Sequence, residues 1–164
     1  MNLFKVLKEV KNNQGIKSKV VVLIFRLSSY YASTNLIVKL IGFPFFVINK
    51  IFNEFLFCVE IPYKTKIEPG LKIYHPHAIV INENVTIGHN CVLRQGVTIG
   101  NVLLKTGEES ASPIIGDNVE FGANVIAIGN IVIGNASRLG AGSVITKNIT
   151  EGKTVIGFGF RELD

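Results

Sequence analysis

Three histidines, two cysteines and twelve carboxylates are the side chains of this 164-residue chain able to attack, ligate or carry a proton. His75 is the candidate general base, because an imidazole readily takes a proton from a hydroxyl at neutral pH. It also stands in Tyr74-His75-Pro76-His77, a segment that interrupts an otherwise regular repeat. His77 and His89 are weaker candidates. No pair of histidines has the His-x4-His spacing of a shared zinc site, so no metal is expected. Cys58 and Cys91 lack CxxC spacing and lie in apolar surroundings, which predicts two buried free thiols and permits a reducing cytoplasm.

The element that must position His75 is written in the repeat it breaks. An aliphatic or aromatic residue leads every sixth position at Ile81, Ile87, Leu93 and Ile99, and again at Ile115, Phe121, Ala127, Ile133 and Leu139. A second, smaller residue follows four places later, from Val85, Cys91 and Val97 to Ser137 and Ser143. Neither the helical period nor the strand period sustains a rhythm of six, so the chain reads as a mainly β, parallel solenoid with one flat face per hexad and three hexads per triangular coil. Asn90, Asn118, Asn124 and Asn135 suit corners that need positive φ.

Two gaps punctuate the rhythm. Ile61, Ile67 and Ile73 also fall in sixes, but the next lead is Ile81, so two extra residues enter around His75. Ile99 and Ile115 are separated by four residues more than two hexads, and the polar stretch 105–112 reads as a loop thrown out of the solenoid. Insertions of this kind mark a working surface. The domain reading is therefore a solenoid over residues 58–164, with a loop at 105–113, behind an N-terminal helical segment over residues 1–57.

Charge is divided along the same boundary. The net charge of +5 arises in residues 1–57, where eight Lys or Arg face only Glu9 and Glu54, while the remainder is nearly balanced. That excludes a nucleic-acid surface on the solenoid and points to an anionic surface near the start, lipid head groups or acidic glycan. Met1 to Lys19 is lysine-rich and carries no cleavable signal. Residues 36–57 approach membrane-spanning length, but Lys39, Pro44, Asn49, Lys50, Asn53 and Glu54 interrupt them. Amphipathic helices broken or kinked at Gly42-Phe43-Pro44 fit better. These helices either pack on the solenoid or a partner subunit, or lie on a membrane with Lys5, Lys8, Lys11, Lys17 and Lys19 near anionic lipid.

The hexads, together with GLKIYHPHAIVIN (70–82), VLRQGVTIGN (92–101), IIGDNVEFGANVI and LGAGSVI, resemble the hexapeptide-repeat acyltransferases over nearly the whole chain. The chain is most similar to the serine acetyltransferase branch, and within it to short exopolysaccharide O-acetyltransferases. That resemblance implies a left-handed parallel β-helix, a homotrimer and acetyl-CoA as co-substrate, with the donor lying in a groove between subunits. It implies His75 as the general base, and Ala123 and Ala141 as small turn residues along the pantetheine arm. Lys147 and Arg161 match basic positions near the nucleotide phosphates.

The departures bear on the acceptor. The acidic residue that precedes the family histidine is replaced by Tyr74, the second histidine of the extruded loop by Ser112, and a proline in the tail by Gly159. The long helical domain of serine acetyltransferases is not expected here. These differences favour a saccharide hydroxyl over serine, and Glu83 or a backbone carbonyl becomes the expected partner of His75. A backbone N–H around Gly96 or Asn101 is the expected oxyanion donor. The expected activity is acetyl-CoA-dependent O-acetylation of a sugar, lipid-linked at the inner face of the cytoplasmic membrane. A small-molecule acetyltransferase acting on serine, a nucleotide-sugar N-acetyltransferase and a non-catalytic scaffold are the alternatives.

Overall fold

The structure, a computed structural model, describes residues 3–157. Its body is a left-handed parallel β-helix of triangular cross-section and about five coils, preceded by helices. Sheet A holds β1 (Val59–Glu60), β4 (Ile79–Ile81), β7 (Thr98–Gly100), β10 (Ile126–Ile128) and β13 (Val144–Ile145). Sheet B holds β2 (Lys66–Ile67), β5 (Thr86–Ile87), β8 (Ile114–Ile115) and β11 (Val132–Ile133). Sheet C holds β3 (Lys72–Tyr74), β6 (Val92–Arg94), β9 (Glu120–Phe121), β12 (Arg138–Leu139) and β14 (Thr154–Val155). The chain visits A, B and C in turn, so each corner falls on one of three edges, A–B, B–C or C–A.

The inward positions explain the period. Every lead from Ile61 to Ile145 is buried, and so is each smaller follower. Ser137 and Ser143 are as buried as the valines they replace; the Ser137 hydroxyl donates to the Thr150 carbonyl at 3.2 Å. No single coil fills the narrow axis, so stacked coils share one core. Losing a filler such as Phe121 would cost about 3–5 kcal/mol.

Register fixes the size of both gaps. Val80 pairs with Thr98, the regular eighteen residues on, whereas Val59 pairs with Ile79 and Lys72 with Val92, each twenty residues on. The two extra residues therefore lie in the His75 corner, as the spacing predicts. Thr98 pairs with Ile126, twenty-eight residues on, so the second insertion is ten residues within one hexad step rather than four beyond two. It forms a small hairpin at the A–B edge, with Leu103 bridged to Glu109 and Leu104 N–H donating to Glu108 O at 2.8 Å.

The open end of the first coil is closed by side chains from the helices. In α1 (Leu3–Asn12) and the turn after it, Glu9 Oε1 accepts from Gly70 N–H and Leu71 N–H, and Asn13 brackets Leu71 O and Ile73 N–H. Arg26 of α2 (Ile16–Ser28) donates to Ile67 O and Glu68 O and pairs with Glu9 at 2.7 Å. These groups replace the ladder partners that a preceding coil would supply, and backbone groups at a buried edge need such partners. Val21, Val22 and Phe25 of α2 join the solenoid core.

Three expectations about this region are corrected. Of the break or kink expected at Gly42-Phe43-Pro44, the break is absent: α3 (Leu36–Ile48) runs through Pro44 and continues as π-helix over Asn49–Leu56. Packing overrides the missing N–H: a Cβ on Gly42 would collide with the Tyr30–Tyr31 backbone, and Phe46 stacks on Tyr31 and meets Tyr63 edge-on. Asn49 and Asn53, one helical turn apart, bond each other at 2.9 Å and reach Ile61 O and Val21 O. Cys58 is exposed, because it takes φ 53° at the corner before β1, which turns it out of the core; Cys91 is buried. Positive φ occurs at Asn90, Asn118 and Asn124 as expected, but at Ala136 rather than Asn135. The Asn135 side chain instead accepts from Asp117 N–H at 2.8 Å.

Candidate active site

The C–A edge collects three of the sequence-predicted residues. His75 follows β3, Ala123 follows β9 and Ala141 follows β12, so all three stack along one edge. At about 4.8 Å per coil, Ala123 lies roughly 10 Å and Ala141 roughly 14 Å along the axis from the His75 coil. Gly96 N–H donates to His77 O at 3.0 Å, Asn124 N–H to Gln95 O at 2.9 Å and Gly142 N–H to Ala123 O at 2.8 Å. The edge is thus a rigid backbone ladder with small side chains on its lower rungs. A Cβ on Gly122 would meet Ala141 N at 2.5 Å, so the glycine there serves coil stacking; Ala123 is half-buried and Ala141 exposed. A Cβ on Gly142 would meet nothing within 4 Å, which leaves open space along this edge for an extended chain.

His75 is presented by the insertion. Ala78, with φ 52°, occupies the regular left-handed place of the corner, in register with Gly96, Asn124 and Gly142, and His75 adds a second left-handed residue with φ 53°. Such backbone costs a non-glycine residue of order 1–2 kcal/mol, and residues held this way cluster at functional sites. Pro76 is buried and pins the corner, while the imidazole is exposed and has no hydrogen bond or ion pair among the described residues. Gln95, just past the rung where Arg94 pairs with Tyr74, holds a buried side-chain oxygen without a partner among the described residues. Sequence reasoning missed this orphaned acceptor; its only signal was its place one coil below His75.

Other expected contributors fall elsewhere. Glu83 lies on the A–B corner, at the far end of β4 from His75, so within one chain it is not brought to the imidazole. The Gly96 N–H is already spent on His77 O. Asn101 is also at the A–B edge, where Ser112 Oγ donates to Asn82 Oδ1, Asn82 to Asn101, and Asn101 to Glu109, tying down the root of the loop. Lys147 is exposed on the A–B edge, one face away from Ala141. Arg161 and Gly159 lie outside the described residues.

The B–C edge supplies a contrast. His89 Nδ1 lies 3.3 Å from Asp117 Oδ1, and its Nε2 lies 3.7 Å from Glu68 Oε2. The His89 backbone N–H and then the imidazole hold the Asp117 carboxyl below its ordinary range. Burial pushes the Cys91 thiol up to about 11. Among the described residues, no group of three or more His, Cys, Asp or Glu is placed to hold a metal ion.

Residues 112–147 match the family described as bacterial transferase hexapeptide (six repeats), and residues 78–102 match the hexapeptide repeat of succinyl-transferase. The chain is 36% identical over 149 residues to WcaB of Escherichia coli (strain K12), a protein assigned to colanic acid biosynthesis as an acetyltransferase; the match covers 89% of this chain and 90% of the relative. It is 38% identical over 101 residues to a serine acetyltransferase of Synechococcus elongatus, covering 60% of this chain but 40% of that protein. A serine acetyltransferase solved in complex with CoA superposes with a TM-score of 0.68 at 26% identity, over 88% of this chain. The chain spans about half the length of such serine acetyltransferases, 56% in that structure.

Proposed function

The chain belongs to the hexapeptide-repeat acyltransferases, and from that premise we propose that it transfers an acetyl group from acetyl-CoA to a saccharide hydroxyl, with His75 as general base. The observation that carries the saccharide is the match along 90% of the colanic acid relative, helices included, against 40% of the serine acetyltransferase. Acetyl-CoA, when bound, supplies a thioester already activated for acyl transfer. His75 takes the proton of the acceptor hydroxyl, whose oxygen then bonds the acyl carbon; the thiolate of CoA leaves and recovers the proton. Among the described residues the imidazole has no partner to be freed from, and its corner holds it for the acceptor. Ala123 and Ala141 keep the C–A edge low enough for the pantetheine arm, and Arg161 meets the nucleotide phosphates; Lys147, on the A–B edge, does so only from the neighbouring subunit of the trimer. A homotrimer supplies the second wall of that groove.

The acceptor is lipid-linked and reached from the cytoplasmic face of the membrane. Leu36, Ile37, Leu40, Ile41, Val47 and Ile51 leave one long helical face exposed. The surrounding segment carries eight basic residues against two acidic ones, and both acids are engaged, Glu9 by Arg26 and Glu54 by Lys50. An apolar stripe flanked by excess positive charge fits an anionic bilayer surface. The helix lies on that surface and does not cross it, because Asn49 ties its second half to Ile61 of the solenoid and Asn53 ties it to Val21 of α2.

The deciding experiment follows CoA release and product identity with serine, glucose and de-O-acetylated colanic acid oligosaccharide as acceptors. An acetyl ester on the oligosaccharide supports the proposal. O-acetylserine as the sole product moves the chain to the second reading, serine O-acetylation, which the 38% identity to serine acetyltransferases favours. Flotation with phosphatidylglycerol vesicles, abolished by Leu40→Glu, tests the membrane contact; equal flotation of wild type and variant would refute it.

A further inference from the structure

A cavity of about 550 Å³ opens on the outer face of sheet A, between the π-helical turn and the root of the loop. Its floor is β4 and β7, whose Val80 and Thr98 lie between inward-facing neighbours. Lys50, Glu60, Tyr63, Asn82, Glu83 and Asn101 supply its polar lining. The volume falls within the ~300–1,000 Å³ of small-ligand sites. Three features define what it would accept. Beyond the bonds that tie the loop root, Asn82 and Asn101 each keep one amide N–H and Asn101 keeps room on Oδ1, and Glu60 and Glu83 offer carboxylate acceptors, the set that matches neighbouring hydroxyls. Tyr63 is fixed by Phe46 and Tyr31, with ring centroids at 5.1 and 5.2 Å, so a rigid aromatic surface borders the polar groups. Among the described lining residues the one cation, Lys50, already pairs with Glu54 at 2.6 Å, and Lys64 lies over the Tyr63 ring outside the lining, so the two lining acids outweigh the available positive charge and disfavour an acceptor carboxylate.

We propose that this cavity is a subsite for a neutral sugar unit of the acceptor, with Glu83, Asn82 and Asn101 bonding ring hydroxyls beside the Tyr63 ring. The proposal rests on the sugar O-acetyltransferase reading and deepens it: the cavity binds a unit other than the one acetylated. β4 runs from the His75 corner to Asn82, so the subsite and the base occupy opposite edges of one face. Recognition here favours acceptors several sugars long. Lys50 belongs to the helix assigned to the lipid surface, so the subsite opens beside the bilayer, where a lipid-linked oligosaccharide presents its sugars.

Glu83 gives the cleanest test, because it is exposed and its removal leaves the core and the loop root intact. Initial rates of wild type, Glu83→Ala and Tyr63→Leu are compared with de-O-acetylated colanic acid oligosaccharide and with glucose, and acetyl-CoA KM is measured in each. The expected result is an oligosaccharide KM raised about tenfold in Glu83→Ala, the loss of one charge-assisted hydrogen bond, with kcat, acetyl-CoA KM and glucose KM unchanged. Tyr63→Leu shifts the same parameter. An oligosaccharide KM unchanged in both variants of a wild type that acetylates sugars overturns the subsite alone. A wild type that acetylates serine and no sugar overturns the subsite and the reading beneath it.

Discussion

The C–A and B–C edges are built from the same backbone and differ in what they present. Each carries a ladder of corner hydrogen bonds: 3.0, 2.9 and 2.8 Å at Gly96, Asn124 and Gly142, against 2.7, 2.8 and 2.8 Å at Asn118, Ala136 and Gly152. The C–A edge carries His75 and His77 and the B–C edge His89, and each has a cysteine at a corner. On the B–C edge His89 is clasped by Asp117 and Glu68 and Cys91 is buried; on the C–A edge His75 is exposed and unclasped and Cys58 faces out. The lesson is that a repeat spends most of its residues on stacking, and chemistry concentrates where an insertion breaks the stacking on one edge.

The strongest test of that contrast replaces His75 and His89 in turn. His75→Asn keeps a residue that tolerates left-handed φ, so the corner should hold while kcat/KM falls about 10²–10⁴-fold, the usual worth of a positioned base. His89→Asn should stay within about threefold of wild type, and a comparable fall in both, measured by CoA release, would erase the distinction. Next comes Ala141→Phe, which should raise acetyl-CoA KM about tenfold or more by filling the edge, a loss of about 1.4 kcal/mol, while Ala136→Phe on the B–C edge leaves it unchanged; steady-state titration of acetyl-CoA decides.

The edges themselves were legible from the sequence, because a side chain pointing into a narrow axis must be apolar at every sixth place. The excess spacing from Ile73 to Ile81 located the His75 insertion. The loop was harder to size: its ten extra residues, added to one six-residue step, span sixteen, which also reads as two hexads plus four. Cys58 misled because apolar neighbours in sequence do not determine which way a corner residue turns, and Ala136 takes the positive φ because it, not Asn135, is in register with Asn90 and Asn118. The passage of α3 through Pro44 was decided by Gly42 packing against the Tyr30–Tyr31 backbone, a contact between segments that local propensity does not encode.

Thiol chemistry should sharpen the comparison at smaller scale. Native protein treated with iodoacetamide near pH 7.5 should be alkylated at Cys58 alone, because Cys91 is enclosed and its thiol is pushed up to about 11; peptide mass mapping would read this, and labelling of Cys91 at a similar rate would contradict it. Smallest is the pH dependence of the B–C clasp. Asp117 titrates below its ordinary value when folded, so its contribution is complete above the unfolded value of about 3.9 and disappears as pH falls through the lowered folded value. Wild type should therefore melt slightly above Asp117→Asn at pH 6 and converge with it in strong acid, as thermal denaturation would record.

The most direct measurement of the central claim, that the C–A edge is the working edge, is amide hydrogen exchange of the full chain with and without CoA. The account predicts that CoA slows exchange at Gly96, Asn124 and Gly142 and leaves Asn118, Ala136 and Gly152 unchanged. Protection centred on the B–C edge, or equal on both, would contradict it.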